Sequence, residues 1–307
     1  MRESGFPIFW RNYTLSYRYK YCVMTLPAYA KNPPYKGGVY ALMSLITVVI
    51  PTYNQEKYLS TAIESVYAQT YKDWNLLIVD DASTDGTRTI VQNYLDDPRV
   101  TYVYLPENGG IGKTMAAALQ RIMTPYFVSL DSDDWFDPKA LEVLLGAMEN
   151  QPETTLVVHA NTVFWKMVGD ALEFVVVQRP KSYRNKYDYL EAPMVWPRLY
   201  RTSAVIDVGG FECDDPMQGR FSHDKYLLLK LIGKGHIHGV DANLYHYRKH
   251  EGNNSMNDNW KKWAEARKYI LTKIVKVWGD IYEPVFSYTP DGWLYISKLV
   301  PKTKAKK

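Results

Sequence analysis

Three carboxylates fall within four residues in Asp131-Ser132-Asp133-Asp134, directly after the apolar run Tyr126-Phe127-Val128. Carboxylates this close repel one another unless a positive charge sits between them. A hard divalent cation such as Mg²⁺ or Mn²⁺ takes oxygen ligands and usually keeps positions open for substrate phosphate, so the cluster suits a metal-diphosphate site. The same residues also suit an acidic turn that caps the next helix, since Asp134 or Asp137 stands before Pro138.

The elements around the cluster alternate. The spacing predicts buried strands over 46–50, 74–79, 100–105 and 126–130, and helices over 56–69, 85–94 and 112–123. In the first of these helices Tyr58, Leu59, Ile63, Val66 and Tyr67 recur near the 3.6-residue period. Strands alternating with helices predict an α/β fold of Rossmann-like type, with a mostly parallel central sheet covered by helices on both faces. Such sheets bind ligands at the carboxyl ends of their strands. The loops there are Pro51-Thr52-Tyr53-Asn54-Gln55-Glu56, Asp80-Asp81-Ala82-Ser83-Thr84-Asp85-Gly86-Thr87, Glu107-Asn108-Gly109-Gly110 and the acidic cluster itself. Each taken singly is explained by turn chemistry, because Asn54 and Asn108 tolerate left-handed backbone and Ser83 or Asp85 would cap a helix. Four such loops on one edge point to a ligand site.

Beyond Asp134 the alternation weakens. A helix is expected over 138–150, strands over 155–159, 174–177 and 244–247, a Pro- and Tyr-rich loop region over 180–200, and a tight turn at Gly209-Gly210-Phe211. Residues 224–233 and 260–278 read as helices flanking a polar loop at 251–258. The expected organisation is a Tyr-rich basic extension over 1–44, one domain over 45–257, and a helix with a basic tail over 258–307.

Composition narrows the class. With 46% apolar and 23% charged residues the chain is an ordinary globular protein, while 26 tyrosines and nine tryptophans suit either sugar or base stacking or plain packing. The longest apolar run, 41–50, is broken by Ser44 and Thr47 and is too short to span a bilayer, and no stretch reads as a signal peptide. Cys22 and Cys213 form neither a disulfide framework nor a thiolate metal site, which predicts a reducing, cytoplasmic setting. The net charge of +4 hides two ends of +5 each, Arg2 to Lys36 and Lys298 to Lys307, around a body of −6. Basic ends suit contact with a lipid headgroup layer or a polyanionic acceptor, or solvated tails, and no nucleic-acid partner is implied. The extension 1–44 is expected to pack on the main domain or on a second copy of the chain.

The ordered set Val48-Val49-Ile50-Pro51-Thr52-Tyr53-Asn54, Ile78 to Thr87, Glu107-Asn108-Gly109-Gly110, Asp131-Ser132-Asp133-Asp134, Gly209-Gly210-Phe211 and His223-Asp224 resembles the family 2 glycosyltransferases over residues 46 to about 250. The resemblance implies the GT-A fold, a nucleotide-diphosphate-sugar donor, a divalent metal (Mn²⁺ or Mg²⁺) held by DxD carboxylates, and inversion at the anomeric carbon. Residues 45–134 would bind the nucleotide sugar and 135–257 the acceptor, a glycan, lipid-linked or polymer hydroxyl.

The implied roles follow residue by residue. Pro51, Thr52, Tyr53, Asn54 and Glu56 would form the base pocket with Asp80 and Asp81. Tyr53 would stack on the base, and Asp81 would accept from a base imide nitrogen, which favours uracil. Asn108, Gly110 and Lys113 would approach the nucleotide, Asp131 and Ser132 the ribose and sugar, and Asp133 and Asp134 the metal. His250, in Tyr247-Arg248-Lys249-His250, resembles the family's late histidine and is a further metal candidate, beside a polar segment at 251–255 that could close over the donor. Asp224 would be the base that deprotonates the acceptor, although His223 stands where the family usually has an acidic neighbour. The alternative for Asp224 is a helix cap.

Rival classes fare worse. Gly112-Lys113-Thr114 ends a Walker-like run, but Glu107 stands where that phosphate loop needs glycine. A nucleotidyltransferase would want an early glycine-rich loop with a basic residue, which 50–60 lacks. A sugar-nucleotide-binding protein without glycosyl transfer would explain the fold but not Asp224 together with the acidic set.

Overall fold

The computed structural model describes residues 44–179, 181–183, 185–253, 260–290 and 292–302. The chain divides into the units Met1–Gly38 and Val39–Lys307, and the described residues belong to the second. The extension expected over 1–44, and its contact with a second copy, lie outside them apart from Ser44.

Strands β1 (Ile46–Thr52), β2 (Trp74–Asp80), β3 (Val100–Tyr104) and β4 (Tyr126–Ser129) pair in parallel in the order β3-β2-β1-β4. Thr52 lies opposite Asp80, Asp80 opposite Tyr104 and Val49 opposite Ser129, so the four polar loops leave from one edge. Side chains alternate across a strand, and β1 divides accordingly. Ile46, Val48 and Ile50 enter one core with α1 (Leu59–Tyr67), α2 (Thr87–Gln92) and α4 (Ala140–Glu149). Val49 enters the other with α3 (Ile111–Leu119), α5 (Thr202–Asp207), α6 (His223–Ile232) and α7 (Trp260–Val277). Burial on both faces is why these strands read as unbroken apolar runs.

The expected helix over 56–69 shortens at its start. Gln55 turns the chain through its carbonyl, which accepts from the amides of Tyr58 and Leu59. Glu56 is bound to the next loop instead, its amide donating to Asp85 Oδ2 (3.1 Å) and its Oε2 accepting from the Gly86 amide (2.6 Å).

Past β4 the sheet becomes mixed. β8 (Arg198–Arg201) runs antiparallel to β4 and to β6 (Thr155–Val168), and β7 (Ala171–Gln178) forms a hairpin on β6. β9 (His236–Lys249) lies parallel to β6 and antiparallel to β5 (Trp135–Phe136), giving the order β3-β2-β1-β4-β8-β6-β9-β5. β6 and β9 are far longer than the short apolar cores at 155–159 and 244–247. Their ladder is held by backbone pairing through polar positions such as Asn161 and Asn243, which carry no apolar alternation to read. The basic tail expected after α7 is instead a hairpin over most of its length, β10 (Tyr282–Tyr288) with β11 (Leu294–Pro301). Ile270, Leu271, Ile274 and Val275 of α7 share the core of Leu227, Leu228 and Leu231 of α6. No helix among the described residues is long and apolar enough to cross a membrane.

The second half also meets the start of α3 through a tight backbone contact. Asp215 accepts the amides of Met217 (2.8 Å) and Gly219 (2.7 Å), shaping a loop whose Gly219 carbonyl accepts from the Gly112 amide (3.1 Å) at the start of α3. A Cβ at Gly112 would stand 2.6 Å from the Gly219 carbonyl oxygen, and neither partner is a flexible side chain. Gly112→Ala should therefore displace the 215–220 loop and cost about 1–3 kcal/mol, as overpacking does. Urea denaturation of the variant against the parent checks this, and equal midpoints would contradict it.

Candidate active site

A cleft of about 810 Å³ opens at the carboxyl edge of β1, β2 and β4. Pro51, Thr52, Tyr53, Asp81, Asn108, Gly110, Asp131, Ser132 and Asp133 line it from the first half, and Trp196, Arg198, His223 and Asp224 from the second. Tyr53 is 45% exposed, which leaves its ring free to stack. Asp81 is buried, and its two oxygens accept from the amides of Gly109 (2.8 Å) and Gly110 (2.7 Å). Burial pushes its carboxyl above the ordinary range against the pull of those amides. Gly110 has φ +84°, a conformation that suits glycine and aims both amides at Asp81.

Four expected site residues face the protein rather than the cleft. Asn54 (φ 50°) accepts from the Thr84 amide (2.8 Å), and Glu56 holds Gly86 as described. Asp80 accepts from the Ser83 amide (2.8 Å) and the Tyr102 hydroxyl (2.6 Å). Lys113 reaches Gln218 across the cleft wall (3.4 Å). These residues shape the loops behind the lining.

The acidic cluster divides. Asp134 is almost fully buried and does not line the cleft. Its Oδ2 accepts from the Tyr245 hydroxyl (2.7 Å) and its Oδ1 from the Arg248 amide (2.7 Å), while the Tyr245 oxygen accepts from the Asp131 amide (3.2 Å). Burial, then the charges of Asp133 and Asp131, push its carboxyl well above the ordinary range. The structure thus gives Asp134 a different place from the metal position expected of it: it is buried behind the cleft lining and fastens β9 to the acidic loop.

That fastening brings β9 alongside Asp133. His250 Nε2 and Asn253 Nδ2 both lie 3.0 Å from Asp133 Oδ2, and His250 Nδ1 accepts from the Gly252 amide (3.1 Å). A neutral His250 therefore carries its proton on Nε2, pointing at Asp133. Among the described residues no three His, Cys, Asp or Glu side chains converge on one point. Asp133 supplies a hard carboxylate, and His250 would add an imidazole nitrogen only once Nε2 gives up its proton and the Gly252 contact on Nδ1 is released, with substrate oxygens completing the shell for Mn²⁺ or Mg²⁺. The segment expected to close over the donor is described as far as Asn253, and its remainder lies outside the described residues.

Asp224 stands in the first turn of α6, after Ser222 at φ 58°. A non-glycine residue held there is uncommon and clusters at functional sites. Asp224 Oδ2 accepts from Arg198 Nη1 (2.8 Å), and Oδ1 accepts from the Lys225 amide (2.7 Å). Burial pushes the Asp224 carboxyl up, but Arg198 and then His223 outweigh it and hold the group below its ordinary value. It is ionised at neutral pH. Ser222 makes no side-chain cap, and the helix start favours the Asp224 anion. Burial holds His223 below its ordinary value, so its imidazole is neutral. Lys225 anchors this turn from behind, its Nζ donating to the carbonyls of Tyr189 and Ala192 (2.8 Å each).

Among the aromatic and basic residues of the second half, Trp196 and Arg198 line the cleft. Trp165 instead packs among Trp135, His246 and Phe174, and Tyr183 bridges to Ile237. Sequence reasoning missed Arg220, whose guanidinium donates to Asn108 Oδ1 (2.8 Å) and O (2.9 Å). It also missed Lys262 and Trp263 of α7, which line the mouth. No local spacing links Arg220 to a residue 112 positions earlier. Thr52 Oγ1, Trp196 Nε1, Arg198 Nε and His223 Nδ1, on residues that line the cleft, are buried without a hydrogen-bond partner in the protein.

Residues 47–208 match the model of the family described as glycosyl transferase family 2. The chain belongs to that family. A putative teichuronic acid biosynthesis glycosyltransferase, TuaG of Bacillus subtilis (strain 168), is 42% identical over 105 residues, 34% of this chain and 42% of that protein's length. An uncharacterized glycosyltransferase of Rickettsia prowazekii (strain Madrid E) is 33% identical over 249 residues, covering 78% of this chain and 75% of the other. S. aureus TarS 1–349 in complex with UDP superposes with a TM-score of 0.57 at 20% identity, covering 76% of this chain and 64% of that one. The mannosyltransferase PcManGT from Pyrobaculum calidifontis, in complex with GDP-Man and Mn²⁺, gives 0.55 at 17% identity over 76% and 64%. At these identities the likeness is one of fold, and the fold is GT-A.

Within this family 2 chain, Asp134 is an anchor, and Asp134→Ala leaves the Tyr245 hydroxyl and the Arg248 amide without an acceptor. The expected cost is about 1–3 kcal/mol for each orphaned buried donor. Thermal unfolding should show a midpoint lowered by several degrees in the absence of any ligand, and an unchanged midpoint would return Asp134 to the list of ligand-binding candidates.

Proposed function

We propose that this family 2 chain is an inverting glycosyltransferase that moves a sugar from a uridine-diphosphate donor to a hydroxyl of an envelope glycan. The observation that carries the reading is the meeting of Asp133, with His250 against it, and Asp224, ionised beside Arg198, on the walls of one cleft. Tyr53 stacks on the base, and the Thr52 hydroxyl fills its hydrogen-bonding capacity on it. Each Asp81 oxygen keeps a second lone pair beside the amide it already holds, which suits the imide N–H of uracil. Asp131 takes the ribose side, and burial raises its carboxyl to about 6 against the pull of Arg198.

Asp133, joined by His250 once its Nε2 is deprotonated, would hold a divalent ion beside the donor diphosphate. Bound there, the ion would balance the charge that develops as nucleoside diphosphate leaves. Arg220 holds Asn108 in place at the loop under the phosphates. Asp224 takes the acceptor proton on the opposite face. A single displacement needs one base, and Arg198 orients it. His223 beside it, neutral and with an unpartnered Nδ1, is the other group there able to accept a proton. The envelope acceptor is supported by relatives such as TuaG, named for teichuronic acid biosynthesis. The basic ends suit peripheral contact with anionic headgroups on the cytoplasmic face, and residues 1–44 are the part proposed to meet a second copy.

Release of nucleoside diphosphate from a panel of nucleotide sugars, with Mn²⁺ and with excess chelator, tests the reading. Turnover should require the ion, and UDP should bind tighter than GDP by calorimetry. Asp224→Asn should lower transfer about 10²–10⁴-fold with donor affinity unchanged, the usual scale for loss of a general base. Full turnover in chelator would remove the metal role, and normal transfer by the variant would remove Asp224 as base.

Arg198 also sets the pH dependence. It lowers the carboxyl of Asp224, so replacing its charge raises that value, and a base works only above its own pKa. The acidic limb of kcat/KM should therefore move to higher pH in Arg198→Gln, and a limb that stays in place would belong to another group.

A further inference from the structure

The cleft does not end at its lining. Lys262 and Trp263 at its mouth belong to the first turn of α7, and the same turn presents Trp260, 50% exposed, next to the β10–β11 connection. That connection presents Trp293, 48% exposed. Gly292, next to Trp293 in the chain, has φ +87°, and the Trp260 ring lies 3.6–4.0 Å from where its Cβ would stand.

Half-exposed tryptophans on loose loop tips are commonplace, but these are built in. Thr289 closes the turn on both sides, its amide donating to the Trp293 carbonyl (2.9 Å) and its Oγ1 accepting from the Trp293 amide (2.9 Å). The buried Arg267 lies over the Trp293 ring at 5.1 Å and is itself fixed by the Leu294 carbonyl (2.9 Å) and Glu191 (2.8 Å). Rigid aromatic surface that stays exposed marks a binding site, because it costs little conformational entropy to use. Lys261 and Lys262 flank it, with no acid in the helix before Glu265.

We propose that Trp260, Gly292 and Trp293 form an acceptor subsite that continues the cleft beyond Trp263. It takes consecutive sugar rings of an anionic glycan, the rings stacking on the two indoles and the acidic groups meeting Lys261 and Lys262. Continuity with the lining at Trp263 favours a glycan over a membrane surface, and the lysines favour an anionic one. The inference rests on the glycosyltransferase reading for its link to transfer, but binding alone can be measured without it.

The test uses the intact chain and three polymers without donor: polygalacturonate with rings and charge, dextran with rings alone, and poly(glycerol phosphate) with charge alone. By affinity electrophoresis, polygalacturonate should be retained most at low salt and lose that lead at high salt, where exposed charges are screened. The pair of changes Trp260→Ala and Trp293→Ala should weaken polygalacturonate binding about tenfold, as loss of stacking does. Poly(glycerol phosphate) binding, donor binding and the thermal midpoint should not move, and Trp293→Tyr should recover part of the loss. Equal polygalacturonate binding by parent and double variant overturns the subsite, as does retention no better than dextran. Loss of binding to phosphatidylglycerol vesicles with glycan binding intact would make the patch a membrane contact. If the chain transfers no sugar from any donor yet the double variant loses glycan binding, the subsite stands and the proposed activity falls. If transfer to a polymeric acceptor proceeds unchanged in the double variant, the activity stands and the subsite falls.

Discussion

Four carboxylates, Asp131, Asp133, Asp134 and Asp224, are drawn around one cleft, and keeping their charge there is the constraint on which the architecture turns. Like charges gathered in a partly dry site must be neutralised, paired or separated. Each takes a different course. Asp134 is buried and satisfied by two donors, Asp224 is paired with Arg198, and Asp133 receives donors from His250 and Asn253. Burial raises Asp134 well above the ordinary range and Asp131 to about 6, the latter against the pull of Arg198. Each solution recruits a strand or segment of the second half, so the electrostatics of the acidic loop and the fold of residues 155–253 are one problem.

Arg198 is the central cation of that solution. It sits on β8, the strand at which the parallel half-sheet turns antiparallel, and so stands between the acidic loop after β4 and the start of α6. Its charge pulls down Asp131 as well as Asp224. An ion pair buried this deeply carries a desolvation cost that packing alone would avoid, and such pairs are retained more readily where the charge is used. The proposed base thus inherits its ionisation from a residue that no motif marks.

Legibility followed the range of the interactions. The first half was readable because its rules are local: period-2 and period-3.6 apolar patterns, and polar loops forced to one edge by parallel pairing. The division within Asp131-Ser132-Asp133-Asp134 was not readable, because adjacent aspartates of identical chemistry differ only in what β9 brings to them. The extent of β6 and β9 was hidden for a related reason, since much of their pairing is backbone to backbone and leaves no side-chain period. The β10–β11 hairpin was read as tail because Lys302, Lys304, Lys306 and Lys307, which follow it, dominate the composition of the chain's end.

The sequence by itself determined the α/β class, the edge on which polar loops gather, and the family to which the ordered motifs point. These depend on neighbours in the chain and on a periodicity that any reader of the residues can count. Tertiary structure alone decided that Asp134 is an anchor, that His250 reaches Asp133, that Arg198 holds Asp224, and that the Trp260 ring lies against Gly292. Those outcomes join residues dozens to more than a hundred positions apart, and only packing sets which of several equally suitable side chains arrives at hydrogen-bond distance.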